Sequence, residues 1–312
     1  MVLLISLAAV LVGTVVGVRS TTYDTDQRLY ETVIQRMQHG ESFYTATAEA
    51  IRAKNELPPS QVRSVRTPVV ATLLSPFPQS WWRWLAAIPA LALCLLSAAL
   101  AGESLVAQRL AAGFCGIWML TCLPLFYLHH ELWGAPLLLG SAVALRRDRD
   151  RLAAGLALAA TAVRELYGLS LLVGLVVRRR RVPWLVAIGV AFGGALLHAH
   201  WARAVLDPNG FDPPLHAYER YSVYLGPSDT VLSEIFGVVL LGLAVVGTAL
   251  RRHDEAFRYL ALVAGPLVVA TALSGRPYWA LTWCGPVSAA AAIALVAGAD
   301  RLGWHRRTVP AT

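Results

Sequence analysis

The sequence predicts an all-α polytopic membrane protein, and three observations carry that class. Of its 312 residues, 56% are apolar, and the mean hydropathy is +0.55. Only 15% are charged, against about 25% in a soluble domain. Those charges are clustered, and the apolar runs between them approach the length a helix needs to cross a bilayer.

The net charge of +8 is not a nucleic-acid signature. The basic groups Arg146-Arg147-Asp148-Arg149-Asp150-Arg151 and Arg178-Arg179-Arg180-Arg181 sit at the ends of apolar segments, as the positive-inside rule asks. The lipid bilayer is therefore the implied partner, and nucleic acid is excluded. Lys54 is the one lysine among 27 basic side chains. That bias, with abundant Ala, points to a GC-rich genome and hints at a bacterial source. Cys94, Cys115, Cys122 and Cys284 all fall in apolar segments. They make neither a disulfide framework nor a zinc spacing, and read as small buried hydrophobes.

The first apolar segment, 2–18, lacks a basic leading region and a small-x-small cleavage site. It reads as an uncleaved first span rather than a signal peptide; a true start further upstream stays open. The loop 20–82 follows on the outer face. After Asp26, the residues Leu29, Tyr30, Val33, Ile34 and Met37 recur at helical spacing, and Gly40 ends that helix. A second helical stretch, 42–54, presents Phe43, Tyr44, Ala46, Thr47, Ala50 and Ile51, and Pro58-Pro59 closes it. Both read as amphipathic helices lying along the interface. Trp81, Trp82 and Trp84 form an aromatic belt at the entry of the second span.

Further spans are expected at 84–101, 109–128, 132–145, 182–200, 231–250, 256–273 and 279–298. Between them, residues 152–177 are interrupted by Arg164-Glu165 and flanked by basic clusters at both ends. A single straight helix there would cross the bilayer and leave Arg178–Arg181 outside. Two short helices, 152–163 and 165–177, turning back at Arg164-Glu165 keep every basic cluster inside. That turn must be covered by other helices, because exposed backbone at lipid depth goes unsatisfied. Both termini are then cytoplasmic, and the outer segments are 20–82, 201–230 and 274–278. No internal repeat or low-complexity linker divides the chain, which reads as one domain, 1–312, in the plasma membrane.

Asp24 and Asp26 stand just outside the first span. They are followed by Asp26-x3-Tyr30 and Gly40-x3-Tyr44, by Arg66-Thr67-Pro68 leading toward the second span, and by the short hairpin with its charged tip Arg164-Glu165. This layout, from about residue 1 to 200, resembles the GT-C superfamily of integral-membrane glycosyltransferases. The resemblance implies a GT-C-like bundle of about eight full spans plus the cytoplasm-returning hairpin. It also implies a polyprenyl-phosphate sugar as donor, a glycan or lipid of the cell envelope as acceptor, and inverting transfer on the outer face. The sequence holds no large C-terminal outer domain, which many members use to recognise the acceptor.

In such a transfer a carboxylate takes the proton of the acceptor hydroxyl, and cations or hydrogen-bond donors stabilise the departing lipid phosphate. The resemblance points to Asp26 as the base, with Asp24 beside it. The competing reading makes Asp26 the N-cap of a helix starting near Gln27. Arg66 and Arg276 lie outside near span ends, and each is either a phosphate ligand or an interface anchor. Arg164 and Glu165 are ionisable groups at membrane depth, where such residues usually serve function: either Arg164 is a third candidate for the donor phosphate, or the two form a mutual or cross-helix ion pair that fixes the hairpin. Tyr30, Tyr44, His130, Glu131 and Glu165 are candidates to line the substrate cavity. His129-His130-Glu131 lacks metal-ligand spacing and reads as a polar interfacial turn. No metal site is assigned, and a divalent cation stays open as cofactor because some GT-C enzymes require one. His198 and His200, at the outer end of a span, read as buried hydrogen-bonded histidines.

Two readings of other classes compete. A lipid transporter or flippase would use the charged hairpin as a translocation site, but the chain shows no inverted repeat. A non-catalytic partner in envelope assembly would use the 20–82 helices as a docking surface and the aspartates as caps.

Overall fold

The protein is described by a computed structural model, which covers residues 1–19, 25–54, 65–205, 231–274 and 283–301. Asp24, Arg276, most of the 201–230 loop and Pro58-Pro59 lie outside those residues. Every regular element among the described residues is helical: α1 (Val2–Arg19), α2 (Thr25–Gln38), α3 (Phe43–Lys54), α4 (Val69–Leu74), α5 (Gln79–Ala101), α6 (Leu105–Phe126), α7 (His130–Arg146), α8 (Asp150–Val163), α9 (Gly168–Val177), α10 (Val182–Val205), α11 (Val231–Leu250), α12 (Glu255–Ser274) and α13 (Cys284–Arg301).

By length and composition, two described helices are long and apolar enough to cross a membrane, α5 and α10. α10 is little covered by the rest of the fold: Val186, Val190, Phe192 and Leu196 along it are exposed. A helix this apolar and this uncovered has lipid as its natural solvent.

α6 sits at the centre, packed against α1, α5 and α13. α13 also packs on α11, and α7 on α5, α8 and α12. Small residues let the backbones approach. A Cβ at Gly13 would lie 2.9 Å from the Met119 carbonyl oxygen on α6, and one at Gly247 would overlap the Ala290 carbonyl on α13. Close backbone contact through glycine is how apolar helices associate when the surrounding lipid is as oily as they are. Cys94, Cys115 and Cys284 are buried here and form no disulfide.

The broken helix is present. α8 ends at Val163, Arg164 is extended (φ −145°, ψ 115°), a single 3-10 turn covers Glu165–Tyr167, and α9 runs back. The two far ends meet: Arg178, just after α9, bonds Asp150 at the start of α8 (2.6 Å), Asp148 (2.9 Å) and Glu255. Arg146 pairs with Asp254 at 2.9 Å at the same end. The basic clusters therefore gather with their carboxylates at one end of the bundle, the end the charge pattern assigns to the cytoplasm.

The turn is covered, as its backbone requires. The Thr67 hydroxyl donates to the Val163 carbonyl (2.8 Å). The fully buried Tyr167 donates its hydroxyl to the Glu131 carbonyl (3.3 Å) and packs directly against Gly134. A Cβ at Gly134 would strike that ring. Gly134→Leu is accordingly expected to cost about 1–3 kcal/mol by overpacking. Gly155→Ala, on a helix face with open space, is expected to be neutral or slightly stabilising. Thermal unfolding of both variants in one detergent checks the contrast.

Two expectations about the outer segment are corrected. Trp82 is no belt residue: it is fully buried, and its indole N–H donates to the carbonyls of Phe77 (2.9 Å) and Leu74 (3.2 Å). It closes the turn from α4 into α5, while Trp81 and Trp84 stay exposed. The expected polar interfacial turn His129-His130-Glu131 is not open to the interface either. All three are buried, because α2 and the strap 65–68 lie over them. The short helix α4, entered through Pro68, was not expected; a proline at a helix start needs no amide partner.

Candidate functional site

α2 and α3 make the outer roof of the site. Leu29, Val33 and Ile34 recur at helical spacing and are buried, so one face of α2 turns inward. Gly40 takes φ +93°, a conformation that favours glycine, and lets the chain turn into α3. α2 begins at Thr25, two residues earlier than the sequence reading had it. Asp26 therefore stands in the first turn rather than at the cap, one helical turn before Tyr30.

Beneath this roof is a small cavity. Its walls are apolar: Leu29, Val33, Ile34, Phe43, Val70 and Leu128. Four polar side chains also line it, Tyr30, Thr47, Arg66 and His130; the Thr47 hydroxyl is spent on the Phe43 carbonyl (2.8 Å). The Tyr30 ring stands edge-on to His130 (centroids 5.1 Å apart) and to His129 (5.7 Å). Arg66 hydrogen-bonds Tyr30 and lies in the field of Glu131 and Glu165. Burial opposes its charge, but Tyr30 and the two carboxylates outweigh that and hold its pKa above the ordinary value.

Below the cavity lies a buried ion pair. Arg164 Nε is 2.7 Å from Glu131 Oε1, and both side chains are under 5% exposed, at 3% and 4%. The two atoms are close without the alignment of a hydrogen bond. Arg164 Nη1 is also 3.5 Å from Glu165 Oε2, which is 44% exposed. The Arg164 guanidinium lies against the Glu131 carboxylate, with His129, Arg66 and His130 close enough to act on it as well.

The predicted site residues thus separate into layers. Tyr30, Arg66 and His130 meet at the cavity, and Glu131, Arg164 and Glu165 form the layer beneath. Of the three candidate phosphate ligands, Arg66 is the one that lines the cavity; Arg164 is committed to Glu131; Arg276 lies outside the described residues. Tyr44 is elsewhere: its hydroxyl bonds His198 Nδ1 (2.9 Å), and His198 Nε2 bonds the Val65 carbonyl (3.1 Å), tying α3 to α10 and to the strap. His198 is thus hydrogen-bonded, but half-buried rather than in the core. Asp24 lies outside the described residues, and of Asp26 the helix position alone is described. Among the described residues no group of three His, Cys, Asp or Glu side chains is placed to hold a metal ion.

One polar cluster escaped sequence reasoning. Tyr127 donates to Glu31 Oε1 (2.5 Å), Gln27 Nε2 donates to the same oxygen (3.3 Å), and the Gln27 carbonyl oxygen accepts from the Leu128 amide (3.3 Å). Arg83 stacks over the Tyr127 ring at 4.8 Å. The available signal was Gln27 and Glu31 at i,i+4 on an otherwise inward-facing helix. This cluster pins the N-terminal half of α2 to the end of α6.

A family model described as a predicted membrane protein (DUF2079) matches residues 17–284. Among curated proteins, none matches the chain. Two solved structures share its fold. The apo oligosaccharyltransferase of Archaeoglobus fulgidus is 12% identical with a TM-score of 0.60, over 97% of this chain and 51% of that one. The archaeal oligosaccharyltransferase AglB of the same organism, in complex with an inhibitory peptide and a dolichol-phosphate, is 12% identical with a TM-score of 0.57, over 98% and 52%. The chain spans about half the length of these neighbours. At this identity the likeness is one of fold, and the fold is GT-C-like.

Proposed function

The chain belongs to the DUF2079 family of predicted membrane proteins, and from that premise we propose that it is a membrane glycosyltransferase. It moves a sugar from a polyprenyl-phosphate donor to an envelope glycan or lipid acceptor on the outer face of the plasma membrane. The observation that carries this reading is the cavity beneath α2: apolar walls with one arginine, Arg66, among them. Such a cavity suits an anion attached to an oily chain. A dolichol-phosphate, the ligand held by one fold neighbour, is of that kind.

The step is an inverting displacement. The acceptor hydroxyl oxygen attacks the anomeric carbon, the bond from that carbon to the phosphate oxygen breaks, and its electron pair leaves with the polyprenyl phosphate. The proton of the hydroxyl passes to the Asp26 carboxylate. Arg66 offsets the charge that grows on the leaving phosphate. The Glu131–Arg164 pair and Glu165 hold the floor below Arg66, and Tyr30 and Tyr44 hold the roof.

The test is sugar transfer by the purified protein in lipid, given labelled polyprenyl-phosphate sugars and a membrane-glycan extract. Arg66→Ala is expected to weaken polyprenyl-phosphate binding about tenfold or more, the loss of one charge-assisted contact of about 1.5–3 kcal/mol. Unchanged binding by this variant would remove Arg66 from the donor site, and absence of product from the wild-type protein would remove the activity.

A further inference from the structure

His130 is a buried group that this mechanism does not use. It is 4% exposed, at the start of α7, and it lines the cavity together with Arg66 and Tyr30. Its Nε2 lies 3.3 Å from the Thr67 carbonyl oxygen. A carbonyl can only accept, so Nε2 carries the hydrogen, and in a neutral ring Nδ1 is left as a bare lone pair. Among the described residues Nδ1 has no hydrogen-bond partner and no exposure to water. A buried acceptor left this way costs free energy, and it is repaid when a donor arrives. Two neighbouring donors are turned elsewhere: Arg66 hydrogen-bonds Tyr30, and the Thr67 hydroxyl is spent on Val163.

We infer that His130 Nδ1 accepts a hydrogen bond from a hydroxyl of the bound sugar, which makes His130 a specificity-determining residue for the donor. The inference rests on the reading of this cavity as a donor-phosphate site. Arg66 and His130 border one cavity, so the hydroxyl belongs to the same ligand as the anion and stands close to it. In a sugar attached through its anomeric carbon to phosphate, the nearest hydroxyl is the one on the adjoining carbon. A site that offers a buried acceptor to a hydroxyl discriminates strongly against the analogue that lacks it, because the acceptor is then left unpaired. The ligand class is therefore a 2-hydroxy sugar on a lipid phosphate, with the 2-deoxy sugar rejected.

Glucose and mannose place this hydroxyl in its two orientations and share one 2-deoxy analogue. The probes are farnesyl phosphate, its glucosyl and mannosyl esters, and the common 2-deoxy ester, with binding measured to the full-length protein in detergent. The wild-type protein is expected to hold one of the two epimers about tenfold more tightly than the 2-deoxy ester. His130→Gln keeps an N–H where Nε2 donates to Thr67 and has no acceptor in place of Nδ1; it is expected to bind both alike. His130→Asn keeps an oxygen near the Nδ1 position and is expected to retain part of the preference. Farnesyl phosphate itself is expected to bind all three proteins equally. Equal binding of hydroxy and deoxy esters by the wild-type protein overturns the inference without any variant, as does a preference that survives in His130→Gln. In both cases intact farnesyl phosphate binding leaves the donor-phosphate reading standing. Wild-type protein that binds no farnesyl phosphate overturns that reading and this inference with it.

Discussion

Asp26→Asn is expected to lower sugar transfer by about 10²–10⁴-fold, the usual contribution of a general base, while the protein still folds and binds polyprenyl phosphate. Asparagine keeps the size of the side chain and removes its capacity to take a proton. Asp26 lies in the first turn of α2, a favourable seat for a negative charge, and neutralising it there costs about 0.3–1 kcal/mol of stability. That is far too little to unfold a helix held by the buried Leu29, Val33 and Ile34 and by the Glu31–Tyr127 hydrogen bond. Loss of rate with an unfolding midpoint lowered by no more than that small cost would therefore report chemistry. Asp24→Asn is expected to have the smaller effect. Transfer at the wild-type rate by Asp26→Asn would remove it as the base and leave it a first-turn helix charge.

Arg164→Leu is expected to destabilise the protein by about 3–5 kcal/mol, because it strands the Glu131 carboxylate with its main partner gone. Both side chains of the pair are almost wholly buried, at 3% and 4% exposure, so water cannot replace the lost cation. The double variant Arg164→Leu/Glu131→Leu is expected to recover most of that loss, since replacing a buried ion pair by apolar side chains is often near neutral. Chemical unfolding of wild type, both single variants and the double variant closes the cycle. A single variant within about 1 kcal/mol of wild type, or a double variant as unstable as the sum of the singles, would show that the pair is not the isolated unit described here. The same double variant separates structure from function: a stable protein with an apolar floor tests what Arg66 and His130 do without the charges beneath them.

Much of the helical plan was legible in the chain. The break at Arg164-Glu165 followed from charge placement alone: Arg146–Arg151 and Arg178–Arg181 belong on one side only if 152–177 turns back. The two outer helices followed from the spacing of Leu29, Val33 and Ile34, and of Ala46, Ala50 and Ile51. What sequence reading placed wrongly were residues whose environment depends on distant segments. A run of three tryptophans suggests an interface, and nothing local says that Trp82 finds the carbonyls of Leu74 and Phe77. His129-His130-Glu131 is polar and lies between two apolar runs, so it resembles an interfacial turn until α2 is laid over it.

Composition, hydrophobic period and the placement of arginines determined the class of this protein, its helices and the returning hairpin. Each is a local or one-dimensional property, set by burial of apolar side chains and by charge at helix ends. Only the tertiary structure decided which ionisable groups share a site. It put Arg66 and His130 on one cavity and drew Glu131 to Arg164. It sent Tyr44 to His198, and joined Glu31 to Tyr127 across 96 positions of chain. Pairings of this kind depend on which helix faces meet, and a face acquires its partner only when the whole bundle packs.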